Sequence, residues 1–485
     1  MATLPRQVVI PLIVACALFM ENLDSTVLAT ALPAIAQSLG ESPLRLSLAI
    51  TSYLFSLAVF IPASGWVADR FGARRVFRLA ILVFLAGSIL CGLSSSLLGF
   101  VLARIFQGMG GAMMVPVGRL VVLRSLPKTG LINALAYLTV PALVGPVLGP
   151  PLGGFITTYV SWRWIFWINV PIGVLGVILA TLFIPDMREE AVPPLDLPGF
   201  FLTALGLTGL VFGFEAAGRD VVPLPSVISL LAAGAISLAL YIRYARRAAH
   251  PIIDLSLLRI PTFRISLAGA FLFRVGIGAV PFLLPLMLQE GFGLTPFQSG
   301  LLTFASAAGA LTMKFTAAPI LRRLGFRRVL IVNAVWSGAL LALYGLFRAD
   351  TPAALIFALL LTGGFFRSLQ FTSANALVYA EVPHARMSRA TSVSAMAQQL
   401  SLSIGVGFGA LLLHLTMGLR GGAHLVAGDF TPAFFAVGAV AALSALVYRA
   451  LPTGAGAELA RAVPADSRTP PPSGPSRAQP APGED

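Results

Sequence analysis

Residues 23–35 read LDSTVLATALPAI and place one carboxylate, that of Asp24, inside a long apolar run. The run covers residues 11–34, and a helix needs about 20 mainly apolar residues to cross a bilayer. Lipid offers no partner for open backbone groups, so a run of this kind must form a helix. An ionisable side chain inside such a helix is expensive and is a functional hypothesis by default. The stretch therefore predicts a membrane helix that carries chemistry.

The composition of the whole chain agrees with this stretch. Of its 485 residues, 57% are hydrophobic and 11% are charged, and the mean hydropathy is +0.89. A soluble domain carries about 25% charged residues, so a soluble enzyme, a disordered chain and a disulfide scaffold are disfavoured. The net charge of +14 falls in short loops between apolar runs, which indicates membrane topology rather than a nucleic-acid-binding face. The composition predicts an all-α polytopic membrane protein with no nucleic-acid partner.

The apolar runs and the charges between them predict the number of spans and their orientation. Fourteen runs are long enough to cross a bilayer: 11–34, 46–68, 76–97, 99–122, 131–156, 164–184, 198–217, 225–245, 263–289, 297–319, 328–347, 352–376, 390–416 and 430–450. One set of alternate loops holds most of the basic residues, and the other set holds only Arg45, Arg163, Arg219, Arg348 and Arg420. This bias predicts that both termini are cytoplasmic, which requires an even number of spans.

An internal repeat predicts the domain organisation. Residues 70–76 read RFGARRV after the second run, and residues 323–329 read RLGFRRV after the tenth. The repeat predicts two related six-helix bundles with two helices inserted between them. The predicted boundaries are an N-terminal bundle at 1–184, linker helices at 185–262, a C-terminal bundle at 263–450 and a disordered cytoplasmic tail at 451–485.

Ionisable side chains inside the predicted spans are the candidate functional residues. Six lie well inside: Glu21, Asp24, Arg104, Arg274, Lys314 and Arg367. Glu21 and Asp24 are three residues apart and so share one helix face. A buried carboxyl balanced between the cost of burial and a nearby arginine can gain and lose a proton as water access alternates. The alternative is a static Asp24–Arg104 ion pair that only locks two helices together.

The balance of these charges also bears on the cargo. Two acids stand against four bases, so a cavity that most of them face would be positive and would favour anionic or zwitterionic cargo. The alternative is that Lys314 and Arg367 reach lipid headgroups or partners at the inner gate. We assign four residues to the predicted substrate cavity: Arg274, Arg367, Lys314 and Gln107.

Two of the motifs resemble the major facilitator superfamily, in particular its fourteen-span drug:proton antiporter branch and the bacterial multidrug exporters within it. Residues 23–35 are similar to the first-span signature, which marks Asp24 as the family's membrane-embedded acid. One departure is LAT at residues 28–30, where the family more often has an Asn that could touch cargo. Residues 102–112, LARIFQGMGGA, resemble the fourth-span motif, and its arginine, here Arg104, is implicated in proton transfer beside that acid.

Two further motifs resemble the family's gating elements. Residues 65–75, GWVADRFGARR, resemble the loop that latches the inner gate, and we expect Arg74 to clamp Asp69. Residues 145–154, GPVLGPPLGG, resemble the fifth-span antiporter motif, which accompanies export rather than uptake; the alternative is ordinary helix packing. The predicted gating residues are Gly65, Asp69, Gly72, Arg74, Gly145, Gly149, Pro150, Gly153 and Gly154.

The resemblance implies a major facilitator fold and a proton-coupled exporter of small amphipathic or drug-like molecules. Two alternatives stay open: an exporter of an anionic metabolite or a metal chelate such as iron-citrate, and an uncoupled facilitator or sensor. The chain has no Walker loop, so we do not expect ATP hydrolysis to drive it. Its four histidines are scattered, so we expect no enzyme activity, no metal and no cofactor, with the proton as the coupling ion. We expect a monomer in the bacterial cytoplasmic (inner) membrane, with a small-molecule substrate and the lipid bilayer as partners.

Overall fold

A computed structural model describes most of the chain. The described residues are 6–125, 131–185, 192, 194–217, 223–249, 251–383, 386–422 and 424–456. They form helices and connecting turns, with no strand in these ranges. Most of the predicted tail, from residue 457 onward, lies outside the described residues.

The helices follow the apolar runs of the sequence. The first half contains α1 Arg6–Leu39, α2 Ser47–Phe71, α3 Ala73–Leu93, α4 Leu97–Ser125, α5 Leu131–Tyr159, α6 Trp164–Trp167 and α7 Asn169–Phe183. The middle contains α8 Leu197–Ala217, α9 Leu224–Ala245 and a short 3₁₀ helix, Leu255–Arg259. The second half contains α10 Pro261–Gly278, α11 Val280–Leu286, a π-helical turn Met287–Gly291, α12 Pro296–Leu324, α13 Phe326–Tyr344, α14 Ala353–Tyr379, α15 Met387–Arg420 and α16 Ala427–Tyr448.

The helices confirm the predicted fold class. In the described part of the chain, eleven helical stretches are long and apolar enough to cross a membrane. Helices α5, α8 and α12 fall outside that group, but each coincides with a predicted span. The sixth span is divided into α6 and α7, and the ninth into α10, α11 and the π-helical turn. The structure is thus all-helical and polytopic, and it is compatible with fourteen spans.

The break in the ninth span has a local cause. Helix α10 ends at Gly278, and Pro281 and Pro285 follow within α11. A proline in a helix removes one backbone donor and clashes with the preceding turn, so the helix cannot continue straight. The π-helical turn at Met287–Gly291 completes the span. This turn brings Gln289 to the N-terminal half of the protein, where its Nε2 donates to the carbonyl of Thr30 at 3.0 Å.

The helices pack as two groups with a bridging pair. Helices α1 to α7 pack against one another, and so do α10 to α16. Helices α8 and α9 pack together, and α8 also contacts α2 and α15. The two groups meet where α5 packs on α12 and where α2 packs on α15. We call them the N-terminal and C-terminal bundles.

The contacts between the bundles close one end of the molecule. We call the end with the loops at 70–75 and 322–328 the arginine-rich end, and the opposite end the arginine-poor end. At the arginine-poor end, the backbone N–H of Phe297 donates to Thr158 Oγ1 at 3.1 Å. Gly154 packs there against the backbone of Pro296 so closely that there is no room for a methyl group. The bundles are therefore joined at the arginine-poor end.

Candidate functional site

A buried ion pair lies in the middle of the N-terminal bundle. Arg104 Nη1 of α4 is 2.6 Å from Asp24 Oδ2 of α1, and each side chain is 1% exposed. The other carboxylate oxygen, Oδ1, accepts hydrogen bonds from Gln107 Nε2 at 2.9 Å and from Asn169 Nδ2 at 3.1 Å. Both oxygens of Asp24 are thus occupied by protein donors, and the carboxylate is sealed from water in this conformation.

A second layer of contacts fixes the guanidinium of Arg104. Its Nε donates to the carbonyl of Ala49 at 3.1 Å, and Nη1 also donates to Gln107 Oε1 at 2.6 Å. Its Cζ lies 4.2 Å from the centroid of the Tyr53 ring, within the range of a cation–π interaction. Asn169 is held in turn by Ser88, whose Oγ accepts from Nδ2 at 3.0 Å. Helices α1, α2, α3, α4 and α7 therefore all contribute to the site.

Gln107 belongs to the ion-pair site and not to the cargo cavity. We assigned Gln107 to the cargo cavity, but it lies between Asp24 and Arg104, three residues after the arginine on the same helix. Asn169 and Tyr53 also belong to this site and were not predicted from the sequence. The only signal for Asn169 is an amide inside an otherwise apolar span, and such a residue is read as ordinary packing unless its partner is known.

Glu21 lies outside this network. It is one helical turn from Asp24 toward the arginine-rich end and is only half-buried. Its Oε2 is buried and has no hydrogen-bond partner among the described residues. The charges that act on it are those of Arg119 and Asp24. Glu21 is therefore a second carboxyl near the first, with a free oxygen and closer access to the arginine-rich end.

A cavity of about 440 Å³ lies between the bundles. Its N-terminal side is formed by α1 and α5 and is uncharged, with Thr26 and Thr30 among its polar residues. Its C-terminal side is formed by α11, α12 and α14 and contributes two cations, Lys314 and Arg367. No acidic residue lines the cavity within the described ranges. The cavity is therefore mainly apolar with a positive C-terminal wall.

The cations of the C-terminal bundle contact neutral partners. Lys314 Nζ donates to Thr372 Oγ1 at 2.9 Å, and Arg367 Nη2 donates to Ser306 Oγ at 2.9 Å. Arg274, the third predicted cavity cation, is fully buried behind Phe371 and not in the cavity wall. Lys314 and Arg367 thus form the cavity's charged surface, and Arg274 forms a separate buried charge.

The loop between α2 and α3 has part of the predicted geometry. Gly72 has a φ of 91°, which favours glycine and allows the tight turn between the two helices. The described partner of Asp69 is Arg124 of α4, with Nη2 at 2.9 Å from Oδ1. Arg74, the partner we expected, donates to the carbonyl of Ile184 at 3.4 Å. A methyl group on Gly65 would meet nothing within 4 Å, so this glycine makes no close approach in this conformation.

The glycines of α5 face two different helices. Gly145, Gly149 and Gly153 lie against α1. Methyl groups on Gly149 and Gly153 would collide with Thr26 and Thr30, and one on Gly145 would pack tightly against Asn22. Gly154 faces α12 of the other bundle, and the carbonyl of Pro150 contacts Gly300 of the same helix. The stripe therefore packs within the N-terminal bundle, as the packing alternative expects, while Gly154 and Pro150 lie at the contact between bundles.

Comparisons with known proteins agree with this architecture. The model of the Major Facilitator Superfamily matches residues 14–258 and 266–482. The chain is 39% identical over 413 residues to a Salmonella dublin protein named "Putative multidrug resistance protein MdtD", covering 85% of this chain and 87% of that protein. Its identity to the protein of the same name from Citrobacter koseri is 39% over 448 residues, covering 91% and 94%.

Solved structures of transporters share the fold. A D-xylose-proton symporter superposes with a TM-score of 0.66 at 16% identity, over 92% of this chain and 98% of that one. A mutant form of the nucleoside transporter NupG superposes with a TM-score of 0.62 at 12% identity, over 92% and 99%. These likenesses confirm the predicted fold, and the family match confirms the predicted resemblance. The chain therefore belongs to the major facilitator superfamily and is a membrane transporter.

Proposed function

We propose that this transporter is a proton-coupled exporter of small amphipathic molecules in the bacterial inner membrane, with its arginine-rich end and both termini in the cytoplasm. The observation that carries the proposal is the sealed Asp24–Arg104 pair beside a cavity between two bundles. Burying an ion pair in the middle of a membrane protein costs free energy, so its presence indicates a function. The name of the MdtD relatives, multidrug resistance protein, supports drug-like cargo and the direction of transport.

The conformation corresponds to one step of an alternating-access cycle. The bundles are joined at the arginine-poor end, and Lys314, toward the arginine-rich end, is exposed. Cargo enters the cavity from the cytoplasm in this conformation. Rocking of one bundle against the other then separates α5 from α12 and opens the cavity to the outside.

The proton follows the opposite direction. In the outward-open conformation, water reaches Asp24, which takes a proton and releases the guanidinium of Arg104. Gln107 keeps a hydrogen bond to Arg104 when the carboxylate is neutral, because its Oε1 is already 2.6 Å from Nη1. Glu21 lies one turn nearer the cytoplasm and has a free oxygen, so it receives the proton after the bundles close. The two carboxyls thus form a relay along one face of α1.

The energy available is sufficient for export. One positive charge entering across about 150 mV releases roughly 3.4 kcal/mol. Each tenfold concentration ratio requires about 1.4 kcal/mol. One proton can therefore sustain an outward gradient of roughly 200- to 300-fold for a neutral cargo.

The cavity favours a second candidate cargo, an amphipathic anion such as a carboxylate metabolite or a metal chelate. Lys314 and Arg367 line it, and no acid lines it within the described residues.

We expect Lys314→Gln and Arg367→Gln to reduce counterflow of a labelled carboxylate in proteoliposomes by about tenfold or more, since each removes a charged donor. Counterflow of a lipophilic cation should be unchanged. Equal loss of both cargos would contradict anionic recognition.

Coupling is tested by Asp24→Asn in proteoliposomes. The variant retains similar volume but cannot exchange a proton at this position. We expect counterflow without a gradient to persist, while an imposed proton gradient no longer accelerates transport. Arg348→Gln, on an exposed loop at the arginine-poor end, is the control and should respond like the wild type. A full response of Asp24→Asn to the gradient would place the coupling site elsewhere or identify an uncoupled facilitator.

A further inference from the structure

The C-terminal bundle contains a buried guanidinium with no anionic partner in the described part of the chain. Arg274 of α10 is 1% exposed, and its one described hydrogen bond joins Nη2 to Asn375 Oδ1 at 2.6 Å. Its Nε and Nη1 are buried and have no partner among the described atoms. A buried charge is costly unless it is paired and hydrogen-bonded. Burying the charge of Arg274 therefore costs more free energy than burying that of Arg104, which has the carboxylate of Asp24 as its counter-ion.

The two bundles differ in the partners that surround their buried guanidinium groups. In the N-terminal bundle, the equally buried Arg104 has the carboxylate of Asp24 at 2.6 Å and an aromatic ring, Tyr53, at 4.2 Å. In the C-terminal bundle, Arg274 also lies on an aromatic ring, with its Cζ at 5.2 Å from the centroid of Phe371. An amide, Asn375, occupies the place of the carboxylate. The second site has the guanidinium, the ring and the polar partner, and it lacks the anion.

Phe371 separates this site from the cargo cavity. Its side chain lines the cavity, and its ring also contacts the guanidinium of Arg274. Arg367, Phe371 and Asn375 are spaced by four residues on α14 and so share one helix face. Arg367 places a positive charge on the cavity wall, one helical turn from Phe371. Access from the cavity to Arg274 requires the Phe371 side chain to rotate, because its ring lies against the guanidinium.

We propose that Arg274 and Asn375 form an anion-binding site behind Phe371. The ligand is a small monoanionic group that two free guanidinium N–H groups can hold. Its source is either a free inorganic anion such as chloride or a carboxylate that belongs to the cargo. The proposal does not rest on proton coupling, because the unpaired charge needs compensation whichever ion drives transport.

The test measures binding to purified protein without a membrane gradient. The full chain in detergent is placed in gluconate buffer, and chloride, bromide or acetate is titrated at constant ionic strength while the thermal unfolding midpoint is recorded. A ligand that binds only the folded state raises the midpoint in a saturable way. We expect saturation in the wild type and in the control Arg348→Gln. Arg274→Lys keeps the charge but loses the planar fork, and its apparent Kd should rise roughly 10- to 100-fold.

Asn375→Asp is the decisive variant, because it places a carboxylate where the anion is missing at almost unchanged volume. In the gluconate buffer alone we expect its unfolding midpoint to exceed that of the wild type, and added chloride, bromide or acetate should have no effect. A response of the wild type to chloride and bromide identifies a free inorganic anion, and a response to acetate alone identifies a carboxylate of the cargo. The proposal is overturned if the wild type responds to none of the three, or if Asn375→Asp is less stable and still responds. Either result leaves the coupling test at Asp24 unaffected.

Discussion

The carboxylate of Asp24 is surrounded by donors from three side chains, although it lies in the middle of a membrane helix. Each donor stabilises the charged form, and removing one partner of a buried ion pair typically costs about 3–5 kcal/mol. A proton can bind only when this arrangement loosens. Coupling at Asp24 therefore depends on how these three donors separate and rejoin during the cycle.

Asn169→Ala tests this dependence at one residue. The substitution removes the 3.1 Å hydrogen bond to Asp24 Oδ1 and leaves the ion pair with Arg104 in place. A hydrogen bond to a charged group contributes about 1.5–3 kcal/mol, so this amide helps to hold the carboxylate in place against Arg104. We expect the acceleration of transport by an imposed proton gradient to fall severalfold, and transport into proteoliposomes with and without the gradient measures it.

The matched control is Asn333→Ala, which removes a buried amide from the C-terminal bundle. It should lower stability without changing the response of transport to the gradient. A response of Asn169→Ala equal to that of the wild type would show that this donor has no influence on coupling.

The residues of the site differ in how far they could be predicted. Asp24 and Arg104 stand out because a charge in an apolar run is costly, and their pairing follows from that cost. Tyr53 and Asn169 do not stand out, because neither side chain is charged and burying it costs less than burying an acid or a base. Asn169 also comes from a helix 145 positions later in the sequence than Asp24, and residue spacing does not predict a contact over so long a separation.

Helix α5 connects the chemistry of one bundle to the movement of both. Its glycine stripe lies on α1, the helix of Asp24, and Gly154 lies on α12 of the other bundle. Small residues let helix backbones approach closely and let one surface slide on another. A displacement of α12 is therefore transmitted through α5 to the helix that holds the carboxyl.

Gly154→Ala tests the contact between bundles. The added methyl group has no room against the backbone of Pro296 when the arginine-poor end is closed. Overpacking of this kind costs about 1–3 kcal/mol, and the open conformation avoids it, so the open population should rise roughly 5- to 150-fold. Spin labels at Ser42→Cys and Arg348→Cys, with Cys16 and Cys91 replaced by serine, report the distance between bundles at this end.

We expect a longer distance in Gly154→Ala than in the parent. Gly176→Ala in α7 is the control, because its added methyl group would lie 3.7 Å from the nearest atom, an ordinary contact. An unchanged distance distribution in Gly154→Ala would mean that this glycine does not limit closure.

The membrane-spanning helices can be predicted from the sequence, but the interruptions within them cannot. Each predicted span coincides with a helix or with consecutive helices, since an apolar run in lipid has no other way to satisfy its backbone. The interruptions at Ile168 and Ala279 lie inside apolar runs that hydropathy treats as continuous. The contact between Asp69 and Arg124 was not predicted either, because Arg124 comes from the far end of α4.

The charges inside the membrane differ between the two bundles. Among the described residues, the N-terminal bundle holds two acids, Glu21 and Asp24, with Arg104 paired to Asp24. The C-terminal bundle holds Lys314, Arg367 and Arg274, whose described hydrogen bonds are to neutral side chains. The cavity lies between them, so cargo on the positive wall and a proton on α1 are handled by different bundles. The movement that joins or separates the bundles can couple the two events without direct contact between cargo and Asp24.

The central claim is that Asp24 exchanges a proton when cargo binds. Its most direct test is the pH change of a weakly buffered solution of purified protein when cargo is added, followed with an indicator dye. Cargo binding favours the conformation with the charged Asp24–Arg104 pair over the one in which Asp24 holds a proton. We therefore predict release of about one proton per wild-type protein and none from Asp24→Asn, since the asparagine has no proton to exchange. Equal release from the two proteins, with cargo binding intact in both, would contradict the account.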